Sequence, residues 1–72
     1  MSPRATARLP ALRYWRTQRA LKQAELGERA GIHWTTVQRL EGGKPAEVET
    51  VRRLAEALGV EPSDLMREPP DQ

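Results

Sequence analysis

The chain has 72 residues and no cysteine, so it is long enough for one small domain and lacks both disulfide bonds and thiolate metal ligands. Its longest apolar run, residues 9–12, is far too short for a signal peptide or a membrane span, and we expect a cytoplasmic protein without membrane contacts. The net charge is only +2, but residues 1–24 carry +6 and residues 25–72 carry −4. This division indicates a basic face that attracts phosphates. The alternative is an ordinary solvated helix that is rich in arginine.

In chain order, residues 1–6 show no apolar period and are predicted to be a flexible arm. Residues 7–66 are predicted to form one all-α domain, with a loop at residues 44–46 and no strand, and residues 67–72 are expected to be a disordered tail. The first helix is predicted to begin between Ala7 and Pro10 and to end near Arg19. The other four are predicted to span about 23–30, 34–41, 47–58 and the segment from 62 to 66.

Residues 23–40 hold two of these helices, joined by a very short turn at Gly31. Helices that cross steeply need a small residue where they approach, and Gly27 lies in the middle of the first of the two. Five apolar residues have the spacing needed to close the small core beneath them: Leu26, Ala30, Ile32, Val37 and Leu40.

The order and spacing of these residues resemble the phage-repressor or Cro-type helix-turn-helix family, also named after the xenobiotic response element (XRE). The resemblance covers roughly residues 8–66. Beyond the motif it includes Leu40-Glu41, Glu49-Thr50-Val51, Ala57-Leu58-Gly59-Val60 and Leu65. It implies a compact five-helix bundle, a lambda-repressor-like DNA-binding domain, whose third helix lies in the major groove of double-stranded DNA.

The resemblance also implies which side chains read bases, namely those on the outward face of the third helix: Trp34, Thr35, Gln38 and Arg39. Arg39 has the fork that fits guanine O6 and N7, and Gln38 has the amide that fits adenine. Trp34 would cover a thymine methyl group or lie along the sugar-phosphate wall. The alternatives are partial packing of Trp34 on the second helix, and a phosphate contact or surface ion pair for Arg39.

Phosphate contacts are expected around this helix. Gln23 begins the second helix, where free amides and the helix dipole favour a phosphate, and its side chain or backbone is expected to anchor one. The loop that contains Gly43 offers two exposed amides and one ammonium group. The residues assigned to phosphate contacts are Gln23, Lys22, Gly43, Lys44, Thr36 and Arg13. The sequence is equally consistent with Arg13 and Lys22 being solvated side chains that make no contact with DNA. Thr36 would face the DNA backbone or stabilise the turn.

Arg16 and Glu41 match, by resemblance, a pair that joins the first helix to the end of the third as a structural salt bridge. The alternative is two unpaired surface charges. Three positions depart from the family's pattern. Lys22 replaces a Ser or Thr cap, so one capping hydrogen bond is missing, and Glu61 is a poor cap for the last helix. Ala20 occupies a helix-stopping position, where a left-handed alanine costs about 1–2 kcal/mol.

No catalytic residue, metal site or cofactor is expected. The chain has one histidine and no glycine-rich phosphate loop after a strand. His33 is interpreted as a capping or surface residue rather than a metal ligand.

The leading function is a transcriptional regulator, most simply a repressor, that acts at the nucleoid as a homodimer on a palindromic operator. The dimer surface is expected near Val60, Leu65 and Met66. The alternative is an antitoxin or other protein-interaction module, with DNA binding secondary and with a toxin or antirepressor as partner. A restriction–modification controller or a phage lysogeny switch would keep the DNA-binding mode.

Overall fold

The computed structural model describes residues 5–70, which form five helices and one two-stranded sheet. The prediction of an all-α, five-helix bundle is confirmed, although the prediction that no strand forms is wrong. The elements are β1 (Thr6–Ala7), α1 (Leu12–Gln18), α2 (Gln23–Ala30), α3 (Trp34–Glu41), β2 (Ala46–Glu47), α4 (Val48–Leu58) and α5 (Pro62–Met66). Within the described residues, no helix combines the length and the apolar character that crossing a membrane requires.

The small sheet joins the start of the domain to the loop before α4. β1 and β2 are antiparallel, with Thr6 opposite Glu47 and Ala7 opposite Ala46. A strand of two residues is too short to show the alternation by which strands are recognised in a sequence. Thr6 therefore belongs to the sheet and not to a flexible arm. The other residues predicted to be flexible at the two ends include 1–4 and 71–72, which lie outside the described residues.

The first helix begins later than expected, at Leu12. Pro10 and Ala11 form a turn instead, and the Ala11 amide donates a hydrogen bond to the Leu65 carbonyl, 3.2 Å away. The Leu12 amide also donates to the Leu9 carbonyl at 3.1 Å, so the chain before α1 is held by one local bond and by one long-range bond to α5.

The core lies between all five helices. Leu12, Leu26, Val37, Leu54, Leu58 and Leu65 are fully buried at its centre. Of the five residues predicted to close the helix-turn-helix core, four are buried and Ile32 is half-buried against them. Leu65 is part of this core, so its expected place on a dimer surface is wrong. Val60 is half-buried on the core, and Met66 is 43% exposed.

The three departures from the family's pattern all lie at helix ends. Ala20 follows α1 with a φ of 56°, the left-handed conformation that the sequence placed there. Lys22 precedes α2 and its ammonium group offers no acceptor, but the Glu25 carboxylate accepts the Lys22 amide at 2.8 Å. Asp64 in the same way accepts the Glu61 amide at 2.9 Å. At the starts of α2 and α5, therefore, the side chain of the third helical residue accepts the amide of the residue before the helix, which is one of the two hydrogen bonds of a capping box.

Candidate nucleic-acid interface

The close approach of α2 and α3 depends on Gly27. A Cβ atom at this position would lie 2.7 Å from the Ile32 carbonyl oxygen and 3.2 Å from the Trp34 amide nitrogen, so any larger side chain would force the two helices apart. Gly31 ends α2 in the left-handed conformation, with φ of 72°, and the chain turns directly into α3. The arrangement presents α3 on the surface with its inner side fixed on α2.

The first turn of α3 is capped by a histidine. The His33 Nδ1 atom accepts the Thr35 amide at 3.2 Å and lies 2.7 Å from the Thr35 hydroxyl oxygen. His33 thus performs the part that Ser or Thr performs at other helix starts. The Thr35 side chain is half-buried and already engaged, which leaves it less available to bases than its neighbours.

Three long side chains of α3 face outward, and we call them the reading face: Trp34, Gln38 and Arg39. All three are exposed, and among the described residues neither the Gln38 amide nor the Arg39 guanidinium forms a side-chain hydrogen bond or an ion pair. Trp34 is 45% exposed and lies outside the hydrophobic core. The opposite side of α3 is buried through Val37 and Leu40. The helix therefore has one side in the core and one side with free polar and aromatic groups.

A polar cluster supports this helix from behind. Arg16 on α1 donates from Nε to Glu41 Oε2 at 2.5 Å and from Nη2 to Glu41 Oε1 at 3.0 Å. It also donates to the Leu21 carbonyl at 2.9 Å. The hydrogen bond to Glu41 raises the pKa of Arg16 above its ordinary value, against the opposing effect of burial. Because the two side chains are only 13% and 6% exposed, the pair is a largely desolvated tie between α1 and α3.

Gln23 belongs to the same cluster. Its amide nitrogen donates to Glu41 Oε1 at 3.1 Å, so its half-buried side chain is directed at a carboxylate. The sequence assigned this residue to a phosphate. Because the side chain is engaged by Glu41, a phosphate contact through the backbone at the start of α2 is the part of that expectation that stays a prediction.

The loop after α3 also differs from expectation. The amides of Gly42 and Gly43 donate to carbonyls of the last turn of α3, the Gly43 amide to Leu40 at 3.1 Å. The Gly43 carbonyl in turn accepts the Arg8 guanidinium at 2.8 Å. These amides are therefore not available to a phosphate, and the expectation for Gly43 is wrong because the loop satisfies the carbonyls at the end of the helix. Lys44 remains exposed.

In the described part of the basic N-terminal third, three arginines form hydrogen bonds within the fold. Arg8 and Arg16 make the contacts described above, and Arg19 donates to the Leu58 carbonyl at 2.9 Å. Sequence reasoning missed the bonds of Arg8 and Arg19, since they join residues 35 and 39 positions apart and leave no local signal. The pair of Arg16 with Glu41 was predicted from the family resemblance. Arg13 and Lys22 are exposed, and within the described chain their charged groups form no ion pair.

Sequence reasoning also missed the role of Trp15. Its indole N–H donates to the Asp64 carbonyl at 3.3 Å, and the Arg19 guanidinium lies 5.3 Å from the centre of its ring. The Asp64 carboxylate accepts a hydrogen bond from the Glu61 amide and contacts Arg67. Both interactions lower the pKa of Asp64, and the bond from the Glu61 amide has the larger effect. Among residues 5–70 there is no cluster of acidic or histidine side chains that would hold a metal ion.

Together, the steeply packed α2–α3 pair and the outward face of α3 define a class, the helix-turn-helix DNA-binding regulators. The helix-turn-helix family matches residues 12–65, and the chain belongs to this family, in its XRE-type branch. A comparison with curated proteins gives no match.

Solved structures agree with this assignment. The restriction–modification controller protein C.AhdI from Aeromonas hydrophila is 33% identical, with a TM-score of 0.71 over 75% of this chain and 83% of that protein. The hypothetical transcription factor NHTF from Neisseria is 27% identical, with a TM-score of 0.74 over 81% of this chain and 66% of that one. A hydroxyethylphosphonate dioxygenase variant is 31% identical, with a TM-score of 0.67 over 85% of this chain. The matching region is only 13% of that enzyme, so its activity is not carried over.

Proposed function

We propose that the chain is a sequence-specific transcriptional regulator that binds double-stranded DNA through α3 and represses transcription by occupying its operator. The observation that carries this proposal is the reading face, three exposed side chains on a helix whose other side is fixed in the core. C.AhdI and NHTF support the regulatory role, because one is a restriction–modification controller and the other a hypothetical transcription factor.

Each residue of the reading face has a chemical role in this proposal. The unpaired Arg39 guanidinium matches guanine O6 and N7, and the free Gln38 amide matches adenine N6 and N7. Thr35 has a smaller part, since its hydroxyl already contacts His33. Phosphates on either side are bound by Arg13, Lys22 and Lys44, which are exposed, with the half-buried Thr36 and the backbone at Gln23 completing the contacts.

The regulator is proposed to act as a homodimer. Val48 and Met66 are 47% and 43% exposed, and with Ala7, Val51 and Pro62 they line one apolar groove. We assign this groove to a second copy of the chain. Beside the groove, Arg52 of α4 is paired with Glu49 at 3.2 Å. In a two-fold dimer the arginine of each copy could face the glutamate of the other, so this pair of charges suits a self-complementary interface.

The first test is selection of binding sequences from random duplex DNA, followed by titration of the recovered duplex against salt. An inverted repeat whose affinity falls steeply with salt is expected, because phosphate contacts release counterions. Arg39→Ala should weaken binding at its base by about 1–3 kcal/mol and relax the preference there. Arg53→Ala is the matched control, because this arginine is exposed on α4 and lines neither the reading face nor the apolar groove. Weak, sequence-blind binding by the folded protein would contradict the proposal.

Sedimentation equilibrium tests the dimer. Met66→Asp is expected to give a monomer that is folded and binds a half-site with reduced affinity. Glu68→Lys, at another exposed position, should leave the dimer intact. A wild-type chain that stays monomeric at high micromolar concentration would assign the groove to a different protein. That result would favour the second candidate function, an antitoxin whose partner covers Val48 and Met66.

A further inference from the structure

We propose that Trp34 recognises the C5-methyl group of a thymine in the major groove, and so sets the specificity at one base of each half-site. This inference rests on the proposed DNA-binding function. It begins from the position of Trp34 as the first residue of α3, the end of a recognition helix that enters the groove.

The backbone of Trp34 is held in place. It approaches Gly27 so closely that a Cβ there would lie 3.2 Å from the Trp34 amide nitrogen and 3.3 Å from its Cα. His33, directly before it, caps the helix through the Thr35 amide. The indole therefore extends from a rigid part of the backbone, as a side chain that distinguishes bases must.

The ring of Trp34 is not used by the fold. It is 45% exposed, lies outside the core, and has the His33 ring as its aromatic neighbour at 6.0 Å. Within the described residues its N–H donates to no acceptor, whereas the Trp15 N–H donates to the Asp64 carbonyl. The apolar surface and the N–H of this ring are therefore both available to a ligand.

The chemistry of an exposed indole selects one base edge. The ring offers an apolar surface and a single N–H donor, with no acceptor. In the major groove thymine presents a methyl group next to the O4 acceptor, whereas adenine and cytosine present amino donors and guanine presents acceptors without a methyl group. Thymine alone offers both an apolar contact and an acceptor. A phosphate would be bound more strongly by the charged side chains of Arg13 and Lys22 than by the neutral indole of Trp34.

The test measures the methyl group directly. In the selected operator, each thymine of one half-site is replaced in turn by deoxyuridine, and Kd is measured by fluorescence anisotropy at fixed salt. At one position the wild-type chain should bind deoxyuridine about fourfold more weakly, the factor that corresponds to about 0.8 kcal/mol for one buried methyl group. At the same position, 5-methylcytosine should bind more tightly than cytosine by a similar factor.

Variants assign the effect to the indole. Trp34→Ala should bind thymine and deoxyuridine equally at that position, and Trp34→Phe should keep most of the difference, because the phenyl ring retains the apolar surface. Arg53→Ala is the control and should keep all of it. Circular dichroism before each titration shows whether the variants fold, which the exposure of Trp34 leads us to expect.

The inference is overturned if no position distinguishes thymine from deoxyuridine, or if the difference persists in Trp34→Ala. Either result would place the ring along the sugar-phosphate wall or away from the DNA. These failures differ from failure of the proposed function, because they need a recovered operator. If no specific duplex is recovered, both the function and the inference on it are rejected.

Discussion

The two tryptophans of the chain show how differently two sides of one small domain are used. Trp15 on α1 is half-buried, its N–H donates to a carbonyl of α5, and a guanidinium lies over its ring. Trp34 on α3 is exposed, with an N–H that donates to no acceptor in the described structure. The same residue type thus stabilises the fold in one place and remains available to a ligand in the other.

The contrast extends to the arginines around each tryptophan. Arg16 and Arg19 have their guanidinium groups bound to a carboxylate and to carbonyls, whereas Arg39 has no such contact among residues 5–70. A supporting region, formed by α1 and its contacts, should therefore determine the free energy of unfolding. The reading face should determine DNA affinity and leave stability almost unchanged.

The largest effect is expected from Glu41→Leu. This change leaves Arg16 as an uncompensated, mostly buried charge and should lower the free energy of unfolding by about 3–5 kcal/mol, measured by urea denaturation. Glu49→Leu breaks the exposed pairs with Arg52 and Arg53 and should cost at most about 1 kcal/mol.

A loss of equal size in both variants would show that burial does not distinguish the two pairs. If Glu41→Leu does not fold, the double variant Arg16→Met with Glu41→Leu supplies the comparison. It should be more stable than Glu41→Leu alone, because no charge is then left without a partner.

Gly27→Ala should come next and should affect both regions. The added methyl group meets the Ile32 carbonyl oxygen at 2.7 Å, so α2 and α3 must separate, at a cost of about 1–3 kcal/mol. Because the reading face moves with α3, DNA affinity should fall as well. Gly42→Ala is the control, since its Cβ would lie 3.3 Å from the nearest oxygen, and a larger effect there would contradict the argument.

The parts of the fold that could be predicted are those with a local signal. Gly27 and the apolar residues around it have fixed spacing, and Ala20 adopts the left-handed conformation expected at its position. The sheet could not be predicted, because each strand has two residues. Nor could the bond from Trp15 to Asp64, which joins positions 49 residues apart. The reading-face assignment stays a prediction until DNA contacts are measured.

A smaller effect is expected from the two tryptophans themselves. Trp15→Phe removes the N–H bound to the Asp64 carbonyl and should cost about 1 kcal/mol in thermal or urea denaturation. Trp34→Phe is the matched substitution on the reading face and should change stability by no more than about 0.5 kcal/mol. If the two variants lost the same stability, the distinction between the supporting region and the reading face would not hold.

The smallest effect should be a gain. Ala20 has a φ of 56°, a conformation that strains an alanine and suits a glycine. Glycine also makes the unfolded chain more flexible, which opposes part of the gain. The net effect of Ala20→Gly should be a rise of about 0.5–1 kcal/mol in the free energy of unfolding. Ala24→Gly, an exposed helical position of α2, should instead lower it by about 0.5–1 kcal/mol. Opposite signs in urea denaturation would identify strain at Ala20 as the cause. Ala20 follows α1 and its side chain is not on the reading face, so the Kd of Ala20→Gly for the operator should stay unchanged. A variant that is more stable but binds the operator more weakly would show that the supporting region and the reading face are coupled.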